Sequence, residues 1–191
     1  MNNFKSFIEH YVDMPHDDWQ LVASVFKKVV CKKNEVLLSE GGVCEYFYFV
    51  EEGLIRCFET RNNQEITKFF IPAPYCMTSR VSFIKQIPSK ENLQTLEKTV
   101  LWRVTLEQYL ELMRMDSWRI FTRKMLNEVQ DYMEQRLIES MTETAEARYY
   151  KIQKEAPSLI NRIPQKYLAS YLGIATQSLS RIRKNANRND K

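Results

Sequence analysis

Between Thr176 and Lys184 the chain places seven polar side chains in nine positions: Thr176, Gln177, Ser178, Ser180, Arg181, Arg183 and Lys184. No carboxylate interrupts them. Such a set suits hydrogen bonding to nucleic acid. Glutamine pairs bidentately with adenine, the arginine fork with guanine, and hydroxyls reach phosphates or base edges. The two apolar residues of the stretch, Leu179 and Ile182, are three apart. The stretch therefore reads as a helix, opened by Ala175 or Thr176, with one buried stripe and a polar face outward. A helical hairpin with a solvated basic face uses the same residue types, so the neighbouring segments must decide between the two readings.

The residues just upstream supply the partner helix. Pro164 suits a first helical turn. Tyr167, Leu168, Tyr171 and Leu172 make an apolar face, and Ala169 is small enough for a second helix to approach closely. Gly173 accommodates the positive φ that closes a helix, and Ile174 plugs the space between the two helices. Two helices joined by so short a turn form a helix-turn-helix, which presents its second helix to the major groove. Charge agrees. From Asn161 to Lys191 there are seven bases and one acid, a net +6, whereas residues 1–160 hold 21 bases and 23 acids, a net −2. A near-neutral body with a basic end suggests that the end meets a polyanion, with a solvated basic tail as the competing reading of charge alone.

The rest of the chain must position this unit. Residues 3–29 read as helical, interrupted at Asp13 and restarted by Pro15 with His16, Asp17 and Asp18 at the positive dipole end. From about residue 34 the period changes. Short runs rich in aromatic and β-branched residues (36–38, 46–50, 54–58, 66–71, 93–96 and 99–104) are separated by Gly41-Gly42, Gly53 and Asn62-Asn63, as in antiparallel strands joined by tight turns. They predict a small β-barrel or roll over about 33–105. Thr105 with Gln108 fits a capping box. Residues 117–141 lack Gly and Pro, and Trp118, Phe121, Met125, Val129, Tyr132, Met133, Leu137 and Met141 fall mostly three or four apart. The result is one amphipathic helix of roughly 35 Å. A second chain would cover this stripe in a parallel homodimer; packing on the barrel is the competing use. A shorter helix over 144–154 ends at Ala156-Pro157.

Other chemistries find little footing. Cys31, Cys44, Cys57 and Cys76 are scattered and distant from His10 and His16, which gives no metal signature. They read as small buried hydrophobes. No phosphate loop, paired catalytic carboxylates or nucleophile motif is present, so no catalytic residues are expected and the chain is read as a non-enzyme. No apolar run is long enough to span a bilayer, and the first residues carry acids and aromatics rather than a signal sequence; no membrane partner and a cytoplasmic location are expected.

Barrel, long helix and terminal helix-turn-helix, in that order, resemble the Crp/Fnr family of bacterial regulators. Glu35 to Gly41 and Glu45 to Arg56 look like the family's strand–Gly–strand–Gly–strand signature, and Pro164 to Lys184 looks like its DNA-reading motif. The resemblance implies a homodimer through 117–141, a regulatory barrel, control of transcription from a palindromic operator, and contact with RNA polymerase. It assigns the principal base or phosphate contacts to Thr176, Gln177 and Arg181, with Ser178, Ser180 and Lys184 beside them. Members that bind cyclic nucleotides carry Gly-Glu and then Arg-Ser (or Arg-Thr) before the last barrel strands. Here the stretches are Tyr75 to Ile84 and Pro88 to Asn92, which hold neither pair. An effector other than cyclic AMP is therefore expected, no cofactor is assigned, and Arg80 and Lys90 are the candidate contacts to an anionic ligand. Lysine lacks the fork of arginine, and Glu91 beside it would repel a phosphate. Many members also continue into a β-hairpin wing; here only Asn185 to Lys191 follow the recognition helix, as in shorter wingless relatives.

The expected fold class is α+β: a jelly-roll-like antiparallel barrel of the cyclic-nucleotide-binding type over 1–116, a dimerisation helix over 117–141, and an all-α helix-turn-helix domain over 142–191. The function expected is effector-modulated, sequence-specific DNA binding. The competing function is a ligand-sensing module that signals to a protein partner.

Overall fold

The computed structural model describes residues 1–189. Helices α1 (Asn2–Glu9) and α2 (His16–Val25) lead into strand β1 (Lys27–Cys31). Strands β2 (Val36–Leu38), β3 (Tyr46–Glu52), β4 (Leu54–Arg61), β5 (Gln64–Pro72) and β6 (Tyr75–Met77) follow, then helix α3 (Arg80–Lys85) and strands β7 (Asn92–Thr95) and β8 (Thr99–Thr105). Helices α4 (Leu106–Leu112), α5 (Asp116–Thr142), α6 (Ala145–Glu155), α7 (Pro157–Arg162), α8 (Gln165–Leu172) and α9 (Thr176–Asn189) complete the described chain. The strands form two antiparallel four-stranded sheets, ordered β1-β8-β3-β6 and β2-β7-β4-β5. This is the expected jelly-roll-like body.

Two elements differ from the sequence reading. Residues 27–29 belong to a strand rather than to the end of the second helix: Phe26 turns extended, and Lys27 to Cys31 pair antiparallel with Arg103 to Thr99 of β8. The β-branched pair Val29-Val30 favours the sheet once a partner strand is beside it, a pairing that local periodicity does not encode. After Ala156, Pro157 opens the short helix α7 instead of leading directly to the helix-turn-helix; proline at the first helical position loses no hydrogen bond there.

The core lies between the two sheets and beneath the N-terminal helices. Phe4 stacks on Phe49 with ring centroids 4.3 Å apart, and Phe26, Phe47, Tyr109 and Trp118 close around one another. All four cysteines are free and buried. Burial pushes the Cys31 thiol up to about 11 and Cys57 up to about 12, so neither is a thiolate near neutrality. The β3–β4 turn depends on Gly53. Its φ is +106°, and a Cβ there would lie 2.8 Å from the Thr99 Cα.

Helix α5 divides its apolar stripe between two uses. Trp118, Phe121 and Met125 are buried against the barrel core, the use that competed with dimerisation. Beyond them, Leu126, Met133, Leu137 and Met141 recur at intervals of seven, four and four and remain exposed, Met141 at 78%. The capping box at Thr105 and Gln108 is present in full at the start of α4.

Two measurements check this packing. Gly53→Ala should cost about 1–3 kcal/mol through forbidden backbone and a clash with β8, read as a lower urea midpoint at unchanged m-value. A thiol reagent at neutral pH should modify none of the four cysteines in native protein and all four in urea.

Candidate nucleic-acid interface

Helix α8 ends in a Schellman arrangement. Gly173 adopts φ +71°, its N–H donates to the Ser170 carbonyl (3.1 Å), and the Ile174 N–H donates to the Ala169 carbonyl (3.0 Å). That turn sets α9 across α8. Leu168 and Leu179 are fully buried between them, with Ala169 at the close approach and Leu172 and Ile163 around it. Behind this pair, α6 contributes Tyr149 and α7 contributes Ile160. The Arg148 guanidinium on α6 donates to the Leu172 carbonyl (2.8 Å), satisfying one acceptor at the end of α8.

The predicted reading face is largely where the sequence put it. Thr176, Gln177, Ser178, Ser180, Arg181 and Lys184 are all exposed on α9, and the helix has no acid in its first turn. Arg183 is placed differently. It is half-buried, and its Nε donates to the Tyr149 hydroxyl at 3.4 Å, so it ties α9 to α6. Spacing puts Arg183 two residues from Arg181 and thus on another side of the helix. Of the predicted tail, Asp190 and Lys191 lie outside the described residues.

The helix-turn-helix is docked on the barrel along β5, an edge strand of its sheet. Ser170 on α8 bonds that edge twice: its hydroxyl accepts from the Thr67 N–H (2.9 Å) and donates to the Glu65 carbonyl (2.7 Å). Beneath lies Arg56 of β4, fully buried. Its guanidinium carbon sits 3.7 Å from the centre of the Tyr167 ring of α8 and 4.1 Å from that of Phe58. Its Nε donates to Thr67 Oγ1 (2.9 Å) and its Nη1 to Glu65 Oε2 (2.6 Å). At the rim, Arg162 pairs with Glu97 (2.6 Å) and donates to the Gly53 carbonyl (2.9 Å).

In the barrel, the two residues singled out as ligand contacts, Arg80 and Lys90, are both exposed. The polar cluster that the fold gathers is a different one. Lys68 Nζ donates to Glu91 Oε1 and Glu59 Oε1, and the Ser79 hydroxyl donates to Glu91 Oε2 at 2.7 Å. Nothing in the sequence marked these residues, because they come from four separate segments. Burial disfavours the charged form of Lys68, but its bonds to Glu91 and Glu59 more than offset that, and its pKa is raised. Burial likewise raises the Glu59 carboxyl, but its bonds to Lys68 and Arg61 win and hold it below 4.5. Among the described residues no cluster of His, Cys, Asp and Glu is arranged to hold a metal ion.

These geometries make two predictions. Arg56→Ala should cost about 2 kcal/mol or more, since it removes a desolvated cation held between two rings; hydrogen exchange should rise in α8 and β5 before it rises in β3 and β8. The Lys68–Glu59 pair should contribute stability above pH 4.5, lost as pH falls through the depressed Glu59 value. It should also contribute below pH 10.5, lost as pH rises through the raised Lys68 value. Urea titrations of wild type and Lys68→Met should therefore differ most between those limits and converge in acid and base.

No curated protein is recognisably similar in sequence. Residues 28–116 match the family described as the cyclic nucleotide-binding domain. Several solved structures share the whole architecture. A putative transcriptional regulator of the Crp/Fnr family from Eubacterium rectale is similar with a TM-score of 0.73 at 16% identity, over 93% of this chain and 85% of that one. FixK2 from Bradyrhizobium japonicum gives 0.73 at 15% identity, over 87% and 86%. The c-di-GMP responsive global regulator CLP from Xanthomonas campestris gives 0.72 at 12% identity, over 92% and 93%. With identities this low the likeness is one of fold: residues 28–116 match the cyclic nucleotide-binding domain model, and the chain as a whole shares the fold of these solved structures.

Proposed function

We propose that this protein is a sequence-specific DNA-binding transcription regulator of the Crp/Fnr type, acting in the cytoplasm as a homodimer on a palindromic operator. The observation that carries the reading is the exposed face of α9. Thr176, Gln177, Ser178, Ser180, Arg181 and Lys184 project from a helix anchored by Leu179 and free of acids in its first turn. The helix N-terminus adds unsatisfied N–H groups and a positive dipole end suited to a phosphate. Arg183, tied to Tyr149, supports the helix rather than reading DNA.

The exposed half of α5 supports the dimer. Leu126, Met133, Leu137 and Met141 form the seam, and a second copy would bury it as a parallel pair. Two recognition helices related by a two-fold axis then meet half-sites about one helical turn apart. RNA polymerase is the further partner that such a regulator would engage.

The barrel is read as the sensor, with an effector other than cyclic AMP. The exposure of Arg80 and Lys90, and the absence of the Gly-Glu and Arg-Ser pairs, support that reading.

Selection of binding sites from a genomic fragment library, without added ligand, tests the reading. Wild type should enrich a palindrome, and its affinity should fall steeply with salt through counterion release. Arg181→Ala should lose about 1–3 kcal/mol and relax one operator position. Leu137→Glu should yield monomers by light scattering and abolish palindrome selection. Failure of wild type to enrich any sequence, with or without candidate effectors, would reject DNA as the partner and leave a protein as the target of the barrel.

A further inference from the structure

We propose that the barrel carries its own anionic ligand: the Glu91 carboxylate occupies a seat for a small oxyanion, formed by Lys68 and the Ser79 hydroxyl, with Ser89 holding the turn behind them. The site holds its occupied arrangement without a diffusible anion. The consequence for DNA, given below, rests on the regulator reading; the occupancy of the seat does not.

The seat is built from segments distant in sequence. Lys68 comes from β5, and the register of that strand against β4 explains why it reaches the site. Cys57 pairs with Phe69 and Phe58 with Thr67, so Lys68 is an extra residue in a β-bulge. A bulge re-aims a side chain that a regular strand would send elsewhere. The ammonium group meets Glu91 Oε1 and, at 3.1 Å, Glu59 Oε1. Ser79 precedes α3 and Ser89 follows it, and each is only 4% exposed. Ser79 donates to the second carboxylate oxygen, Glu91 Oε2, at 2.7 Å and lies 3.1 Å from the Ser89 hydroxyl. Ser89 in turn accepts from the Glu91 N–H (2.9 Å) and donates to the Glu91 carbonyl (3.0 Å), folding the chain so that the carboxylate points inward.

Each carboxylate oxygen thus has a donor, one of them charged. A cation and one buried hydroxyl, that of Ser79, converging on the two oxygens form a donor set suited to a carboxylate or phosphate ligand. The chain supplies the acceptor itself. Lys90, one residue away, is turned to solvent, so the local backbone selects the acid over the base for the interior.

The seat lies one residue from the dock of the DNA-reading unit. Thr67, adjacent to Lys68, receives Arg56 Nε on its hydroxyl and gives its N–H to Ser170 of α8. A carboxylate that fixes the bulge at Lys68 therefore fixes the strand edge on which α8 rests. Emptying the seat would loosen both.

Chemical rescue of Glu91→Ala in the full-length chain tests the proposal. Thermal unfolding is followed with sodium acetate, sodium phosphate or sodium chloride at matched ionic strength. The variant should unfold several degrees below wild type, and acetate or phosphate should restore most of the loss where chloride does not. Wild type and Glu91→Ala/Lys68→Met should show no such specific gain. A folded Glu91→Ala that gains no more from acetate or phosphate than from chloride, or no more than wild type does, overturns the proposal. Glu91→Gln keeps the shape and removes the charge, and it decides the matter if the alanine variant does not fold. It should speed hydrogen exchange at residues 65–70, and exchange equal to that of wild type overturns the proposal. On operator DNA, Glu91→Ala should bind about tenfold more weakly and recover with acetate, while wild type responds to neither acetate nor cyclic AMP. If wild type binds no DNA, the regulator reading falls, and the unfolding experiment still decides the seat.

Discussion

A fully buried guanidinium is expensive unless its charge and its donors are matched, and at Arg56 two halves of the molecule meet that cost in part, with Nε and Nη1 bonded and Nη2 left without a partner. The barrel supplies Thr67, Glu65 and the Phe58 ring. The helix-turn-helix supplies the Tyr167 ring, which shields the cation from water. The docked position of α8, and through it the direction in which α9 faces, follows from this shared burial together with the two Ser170 bonds to the β5 edge. An edge strand is otherwise a row of unpaired backbone groups. Here it becomes the platform on which α8 rests.

Helix α5 obeys a comparable division. Its first turns belong to the core, where Trp118 and Phe121 pack among Phe26, Phe47 and Tyr109. Its later turns leave the barrel and carry apolar residues into solvent. One continuous stripe thus anchors the helix at one end and offers a seam at the other. The same helix end is tied back to the reading unit: Tyr132 and Tyr171 hydroxyls meet at 2.9 Å, and Arg136 lies over the Tyr171 ring at 3.9 Å. The exposed apolar half of α5 and the docked helix α8 are therefore joined by short contacts.

A half-buried polar cluster on the barrel adds a third joined element. Lys68 sits between two carboxylates, and the bulge that positions it adjoins the dock. The proposed seat would write an anionic contact into the chain itself, on the scaffold that the domain match at 28–116 describes.

The amino-acid sequence by itself determined everything that follows from local period and composition. Alternating aromatic runs between glycines specify strands, the 117–141 stripe specifies a long helix, and the Pro164–Lys184 segment specifies two helices and a polar face, because side-chain direction in these elements is fixed by residue spacing. Tertiary structure alone decided what depends on partners far away in the chain. Lys27 to Cys31 became a strand because β8 lies beside them. Arg183 meets Tyr149 because the packing of α9 on α6 brings the two together. Lys68 and Glu91 meet because a bulge in β5 and a serine-lined turn bring distant segments to one place. Spacing sets which face of an element a residue occupies, but only the packing of one element on another sets what that face meets.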